Sequence, residues 1–389
     1  MRDILNSNRY LLVFVIVSTF LLNFGFQVWQ TLFNNFAVED IGAGPGAVGL
    51  IQAVREIPGL LAFAIGFLAL FMSETRIMSL SVILLGAGIL FSGQANSIAF
   101  LLMTTLIMSI GFHLFMPCSN ALMLMMTKQQ DTPKVLGNLG SLGSLAAVAG
   151  TLVVYLLAGP EGYRLLFIGV GLLVVLGGLA LLPFGGHQHG LPPGRRVILR
   201  RKYWLYYTLS FLLGSRRHIF TTFAIYLFVR EYHVTIQTTA MLFLINSVVN
   251  VLTLRLTGQL VGRIGERTAL TITFASLALV FLGYAYIKVL PVLYLLFVTD
   301  NVFFGFNIAL TTYFQKIAVS QEEITSNLSV EQAINHIAAI VVPVVGGSVW
   351  ELFGSQMPFL FGVAIVLVAL VLAQRMRLEP AARPAVATD

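Results

Sequence analysis

The chain has 389 residues, 58% of them hydrophobic and only 10% charged, with a mean hydropathy of +0.89. Spans of roughly 17 to 25 apolar residues recur along nearly its whole length, which excludes a soluble enzyme and implies a protein embedded in lipid with almost no soluble domain. The net charge of +7 is no nucleic-acid footprint, because the basic residues sit in short loops between spans, and the single cysteine, Cys118, excludes an intrachain disulfide.

The first apolar run, Leu11 to Phe33, is too long for a cleaved signal and has no small-residue cleavage site after it. It is expected to be the first spanning helix. Asn23, Gln27, Gln30 and Asn34 repeat along one of its faces, since residues four, seven and eleven apart lie within roughly 40° of each other. Span 2 carries Arg55 and Glu56 just before Pro58, and span 4 places Ser109, His113 and Asn120 on one face. Span 5 has Gly137, Gly140, Gly143 and Gly150, which suit close helix packing. The longest loop, Gly185 to Lys202, holds His187, His189, two prolines and five basic residues, and it divides the spans six and six. The expected organisation is a half over 1–184, a basic linker over 185–202, a half over 203–378 and a tail over 379–389. Two histidines in a Gly/Pro-rich linker without acidic or cysteine neighbours are not read as a metal site.

In the second half, Arg216, Arg217 and His218 interrupt span 7. Adjacent guanidiniums point about 100° apart, so one is free to pair with another helix while the other faces a cavity. Arg217 shares its face with Ser210, Gly214 and Thr221 and is the expected cavity residue. Span 10 carries Asp300, Asn307 and Thr311 along one face. Asp300 lies roughly 15 Å into its helix and the arginines roughly 20 Å into theirs from the opposite side, so they are within reach. Span 11 carries Glu331, Gln332, Asn335 and His336. Ser329 and Gln332 resemble a capping box, which would place Glu331 in a first turn. Counted from opposite membrane faces, Glu56 and His336 have similar depth.

Every third span is clean. Met78 to Gly93, Tyr163 to Phe184, Thr268 to Ile287 and Met357 to Ala373 contain no internal charged, His, Asn or Gln residue. A charge at membrane depth must turn to protein or water, so eight helices are expected around a polar interior with four shielding it. Of the 23 Lys and Arg residues, sixteen fall on one side, three on the other (Arg164, Arg230, Lys288) and four within spans (Arg55, Arg216, Arg217, Arg255). The positive-inside rule then expects both termini in the cytoplasm.

Gly258, Gly262, Arg263, Gly265, Glu266 and Arg267 spell GxxxGRxGER after span 8, and an offset of 192 sets Gly66 and Glu74 opposite Gly258 and Glu266. Near the same offset Phe20-Leu21-Leu22 echoes Phe211-Leu212-Leu213, and Glu39 meets Glu231. Such repetition points to parallel repeats about an axis along the membrane normal. With these residues the chain resembles the major facilitator superfamily, whose signature reads approximately GxxxDRxGRR between helices 2 and 3 and often recurs between 8 and 9. Gly262 stands where that signature has Asp, and the first copy has Leu70 and Ser73 at the Asp and Gly positions. The resemblance implies an all-α fold of twelve transmembrane helices in two six-helix halves, with helices 1, 4, 7 and 10 lining the centre. It also packs helix 2 near helix 11. Gly262 and Gly265 are expected to allow a tight turn and close approach of the halves. Helix 5 lacks the Gly-Pro signature often seen in the family's antiporters.

The expected function is secondary active transport of a small organic solute, with a lean to anionic or zwitterionic compounds, driven by protons. Substrate-cavity candidates are Asn23, Gln27, Gln30, His113, Asn120, Arg217, Asp300 and Asn307; coupling or gate candidates are Arg55, Glu56, Arg216, Glu331 and His336. Efflux of hydrophobic drug-like compounds and lipid flipping on the same fold are the alternatives. An intramembrane enzyme is disfavoured, since His113 and Cys118 lie about 140° apart on their helix and no catalytic motif appears. No cofactor is expected, and the protein is expected to be a monomer in a bacterial inner membrane.

Overall fold

The computed structural model describes residues 2–61, 68, 71–127, 132–159, 162–184 and 198–376. His187, His189, Gly66 and Leu70 lie outside the described residues. Helix α1 (Arg2–Asn35) runs into a π turn (Phe36–Asp40), followed by α2 (Pro45–Leu60), α3 (Glu74–Ser92), α4 (Ile98–Met126), α5 (Thr132–Leu157) and α6 (Tyr163–Leu181). The second half comprises α7 (Trp204–Tyr232), α8 (Ile236–Ile264), α9 (Glu266–Tyr286), α10, α11 (Gln321–Phe353) and α12 (Met357–Ala373). Helix α10 is built in two pieces, Leu290–Phe304 and Ile308–Ile317, joined by a 3₁₀ turn at Gly305–Asn307. The fold is therefore twelve spanning helices in two six-helix halves. An even number of spans puts both ends of the chain on one side, the terminal face; the opposite side is the far face.

Local chemistry starts and stops these helices. Ser97 and Ser73 cap α4 and α3 by accepting from the backbone N–H groups of Phe100 and Arg76. Gly265, at φ +81°, is the hinge residue between α8 and α9, a conformation that favours glycine. Helix α11 begins earlier than its sequence implied. Its cap is Ser320, which accepts from Glu323 N–H at 3.2 Å and makes a Ser-x-x-Glu box with it. Ser329 and Glu331 consequently lie in the third turn, not the first.

Packing follows the polarity pattern. Helix α3 packs against α4 and α6, and α9 against α12. Glycines let the backbones approach: a methyl group at Gly86 would lie 2.7 Å from Val175 N. Buried Tyr163 donates to Glu39 at 2.7 Å, and Arg164 pairs with Asp40 at 3.1 Å, closing the far-face end of the first half.

The halves meet along two seams. Helix α2 packs against α11 so closely that a methyl at Gly49 would overlap the Pro343 carbonyl, and one at Gly347 would lie 2.6 Å from the Pro45 carbonyl. Helix α5 meets α8, and at the far-face end Gln237 donates to the Ala158 carbonyl. Nearer the terminal face, a methyl at Gly137, Gly140, Gly258 or Gly262 would meet none of the described residues within 4 Å. Among the described residues, none makes the close approach expected at Gly262 in this conformation.

Candidate functional site

A cavity of about 420 Å³ lies between the halves. Its walls come from α1, α2, α4, α7, α8, α10 and α11; none of the four clean spans contributes, and neither does α5, which polarity alone had placed among the inner eight. A smaller cavity of about 140 Å³ adjoins it towards the terminal face and shares Arg217, Gln332 and Asn335 with it.

Of the residues singled out in the sequence, Gln27, Gln30, Arg55, Glu56, His113, Arg217 and His336 line the main cavity, and Arg217, Asn307 and Glu331 line the smaller one. Asn23 does not reach either; its amide donates to the Thr19 carbonyl at 2.8 Å and it packs against Gly143 of α5. Asn120 is exposed outside both. Pro117, between His113 and Asn120, removes one backbone rung of α4, so a face extrapolated through it is not maintained. Gly258, Gly262, Arg263 and Gly265 lie at the terminal-face end of α8, away from both cavities.

The two adjacent arginines take different roles. Arg216 is fully buried and its Nη1 reaches Asp300 Oδ1 and Oδ2 at 3.2 and 2.9 Å, entirely within the second half. Asp300 is therefore the anchor of a buried ion pair and not part of the cavity wall. The 3₁₀ turn at Gly305–Asn307 advances about 120° per residue instead of 100°, which rotates Asn307 by about 60° relative to Asp300; Asn307 lines the smaller cavity and Asp300 lines neither. Arg217 faces the cavity, its guanidinium 4.5 Å from the centre of the Phe304 ring. Among the described residues no carboxylate lies within 4.0 Å of it.

Across the cavity, Glu56 is held between the halves. Arg55 Nη2 donates to its Oε1 at 2.8 Å, His336 Nδ1 of α11 lies 3.0 Å from its Oε2, and His113 Nε2 of α4 lies 3.9 Å from the same oxygen. Arg55 also stacks over Trp29, 5.9 Å from its ring centre. The Ser109 hydroxyl donates to the Arg55 carbonyl and so faces His113 Nδ1, 3.0 Å away, as an acceptor; the Ser109 carbonyl lies 3.0 Å from the same nitrogen. A neutral His113 therefore carries its proton on Nδ1, with the Nε2 lone pair aimed at Glu56. Gly59 makes room for this contact, because any side chain there would strike the His336 ring.

Several wall residues escaped the sequence reading. Gln52, Asn246 and Asn250 line the main cavity, as does Asn301, and Asn301 donates to Asn250 at 2.9 Å. Asn246 and Asn250 are four apart, the same spacing that exposed the α1 stripe, and that signal was available. Aromatic rings Phe26, Phe112, Phe220, Phe243 and Phe297 complete the wall.

The sequence model for the Major Facilitator Superfamily matches residues 15–330. The chain belongs to this superfamily. Among solved structures it is similar to the nucleoside transporter NupG, at TM-score 0.76 and 15% identity, with 94% of this chain and 98% of that one covered. It is likewise similar to a bacterial homologue of the human lysosomal transporter Spinster in an inward-facing conformation, at TM-score 0.78 and 15% identity, covering 96% and 99%. No curated protein matches the chain. At this identity the solved structures establish the fold. As a facilitator-superfamily member the protein is a multi-pass membrane transporter of small molecules working by alternating access, in which two halves rock around a central site.

Proposed function

We propose that the protein is a proton-coupled secondary transporter for a small organic anion or zwitterion, bound at Arg217 and oriented by the amides of Gln27, Gln30, Asn246, Asn250 and Asn301. The observation that carries the reading is Arg217 itself, a guanidinium in the cavity wall with an aromatic neighbour and, among the described residues, no carboxylate within 4.0 Å. A carboxylate or phosphate supplies the fork-shaped acceptor it lacks. Coupling is assigned to Glu56 with His336 and His113, since protonation of Glu56 would weaken a contact that joins α2 to α11 and so bias the relative position of the halves.

The contacts between halves at the far face support a conformation open towards the terminal face. Asn35 donates to the Val234 carbonyl at 2.9 Å, Thr239 donates to Asn35 at 3.2 Å, and Gly46 N–H donates to Glu351 at 2.9 Å. With the sixteen-to-three charge bias, this reads as an inward-open state with cytoplasmic termini in a bacterial inner membrane. Val319 on the terminal face and Val289 on the far face are both well exposed. A cysteine at Val289 should react with an impermeant thiol reagent in intact cells, and one at Val319 only after lysis; the reverse pattern overturns the orientation.

The polar lining disfavours a lipid or a greasy drug as cargo. A neutral polar solute is the second reading, because amides outnumber charges around the wall and five rings offer stacking. Proteoliposome uptake of carboxylates, amino acids and nucleosides, with and without an imposed pH gradient, decides between them. The primary reading expects saturable, gradient-driven uptake of an anionic or zwitterionic compound that Arg217→Gln strongly weakens. Uptake of nucleosides alone, indifferent to Arg217→Gln, would transfer the assignment to the second.

A further inference from the structure

Three potential ligand atoms converge at the junction of the halves, with His336 Nδ1–H donating to Glu56 until a metal ion displaces that proton. Glu56 Oε2, His113 Nε2 and His336 Nδ1 all lie within 4.8 Å of one another, and the two imidazole ring centres are 5.3 Å apart. In the neutral imidazole, with the proton on Nδ1 against Ser109, His113 Nε2 offers Glu56 no donor. The Nε2 lone pair of that form faces a carboxylate oxygen at 3.9 Å. A ligating histidine is commonly fixed in this way, with its second nitrogen bonded to a backbone carbonyl.

We propose that Glu56, His113 and His336 form a binding site for a divalent transition-metal ion of the zinc and cobalt class. The donor set, two imidazoles and one carboxylate oxygen, suits these ions and not calcium or magnesium, which take oxygen ligands. Metal–ligand bonds of about 2.0–2.2 Å in a tetrahedron separate ligand atoms by roughly 3.3 Å. The Glu56–His336 pair is already at 3.0 Å, His113 needs to approach Glu56 by about half an ångström, and the two imidazoles, whose ligand atoms lie within 4.8 Å, close on each other as it does so. All three side chains line the main cavity, so the fourth coordination position opens to water or solute. Arg55 occupies Oε1 and leaves Oε2 to the metal, but its charge, with that of Arg217 on the same wall, lowers the affinity. Because α2 and α4 belong to one half and α11 to the other, the ion would tie the halves together and arrest transport. This inference rests on the cluster's geometry and is independent of the solute and of proton coupling.

The test is a Co²⁺ titration of the full-length protein, purified without a histidine tag, read by visible absorption. The expected result is one Co²⁺ per chain with the intense bands of a four-coordinate site, displaced by Zn²⁺. His113→Ala and His336→Gln should each weaken binding at least about tenfold, and Gln at 336 keeps a hydrogen-bond donor for Glu56 so that folding is preserved. Arg55→Gln should tighten it, which an adventitious surface site would not do. Weak six-coordinate binding that ignores these variants, or bands that vanish on replacing His187 and His189, would overturn the proposal.

Discussion

Two charged clusters sit at membrane depth in this protein, and they are built on opposite principles. Arg216 and Asp300 are dry, close and confined to one half, with both carboxylate oxygens spent on one guanidinium nitrogen. Arg55, Glu56, His113 and His336 border the cavity and straddle the halves. A pair within one rigid body has the same geometry in every state of the transport cycle, whereas one between bodies must be remade. The first cluster is therefore structural, and the second is placed where protonation or ligand can change the balance of states. Arg216 and Arg217, neighbours in sequence, fall on either side of this divide.

The sharpest way to break the distinction is a double-mutant cycle on the buried pair. Asp300→Asn and Arg216→Gln should each destabilise the protein by about 3–5 kcal/mol, because each leaves an unpaired buried charge. The double variant should regain much of that loss. Unfolding in detergent measures it, and singles that unfold like the wild type would remove the structural role.

Next in size is Glu56→Gln. The amide mimics the protonated acid, so the variant should fold and exchange solute downhill while losing accumulation driven by a pH gradient. Retained gradient-driven accumulation would make Glu56 a static contact like Asp300.

Substitution at Arg217 tests the cavity side of the divide. Arg217→Lys should keep part of the solute affinity as a point charge, and Arg217→Gln should lose about 1.5–3 kcal/mol of binding. Stability should change far less than for Arg216→Gln, since no buried partner is orphaned. Thermal unfolding and equilibrium binding on the same preparations separate the two effects.

The gentlest probe is Gly59→Ala, which changes no charge. Its methyl group would displace the His336 ring from Glu56, costing about 1–3 kcal/mol of overpacking. It should weaken pH-driven accumulation in the direction of Glu56→Gln. Normal coupling in this variant would show that the contact between Glu56 and His336 does not transmit the proton's effect.

Much of the architecture was legible because a bilayer imposes simple rules on each span separately. Span length, the clean spans at every third position and the residues on the α1 face follow from hydrophobicity and 100° periodicity, so Gln27, Gln30 and Asn34 were found on one wall. Periodicity failed wherever the helix departed from regularity: at Pro117 in α4, at the 3₁₀ turn of α10, and at the start of α11, where Ser320 and not Ser329 is the cap. It also left Asn246, Asn250 and Asn301 unnoticed, since amides without charge stand out less than ions.

By itself, then, the sequence determined that the chain spans a membrane twelve times, which spans carry polar groups, and which arginines and acids needed an explanation at membrane depth. These are properties of single helices in hydrocarbon, where every buried charge has a cost that composition reveals. Tertiary structure alone decided which groups pair. Asp300 had two arginines within reach and took Arg216, and Glu56 met histidines from two different helices, because a helix's rotation about its axis is set by its neighbours' side chains and not by its own residues.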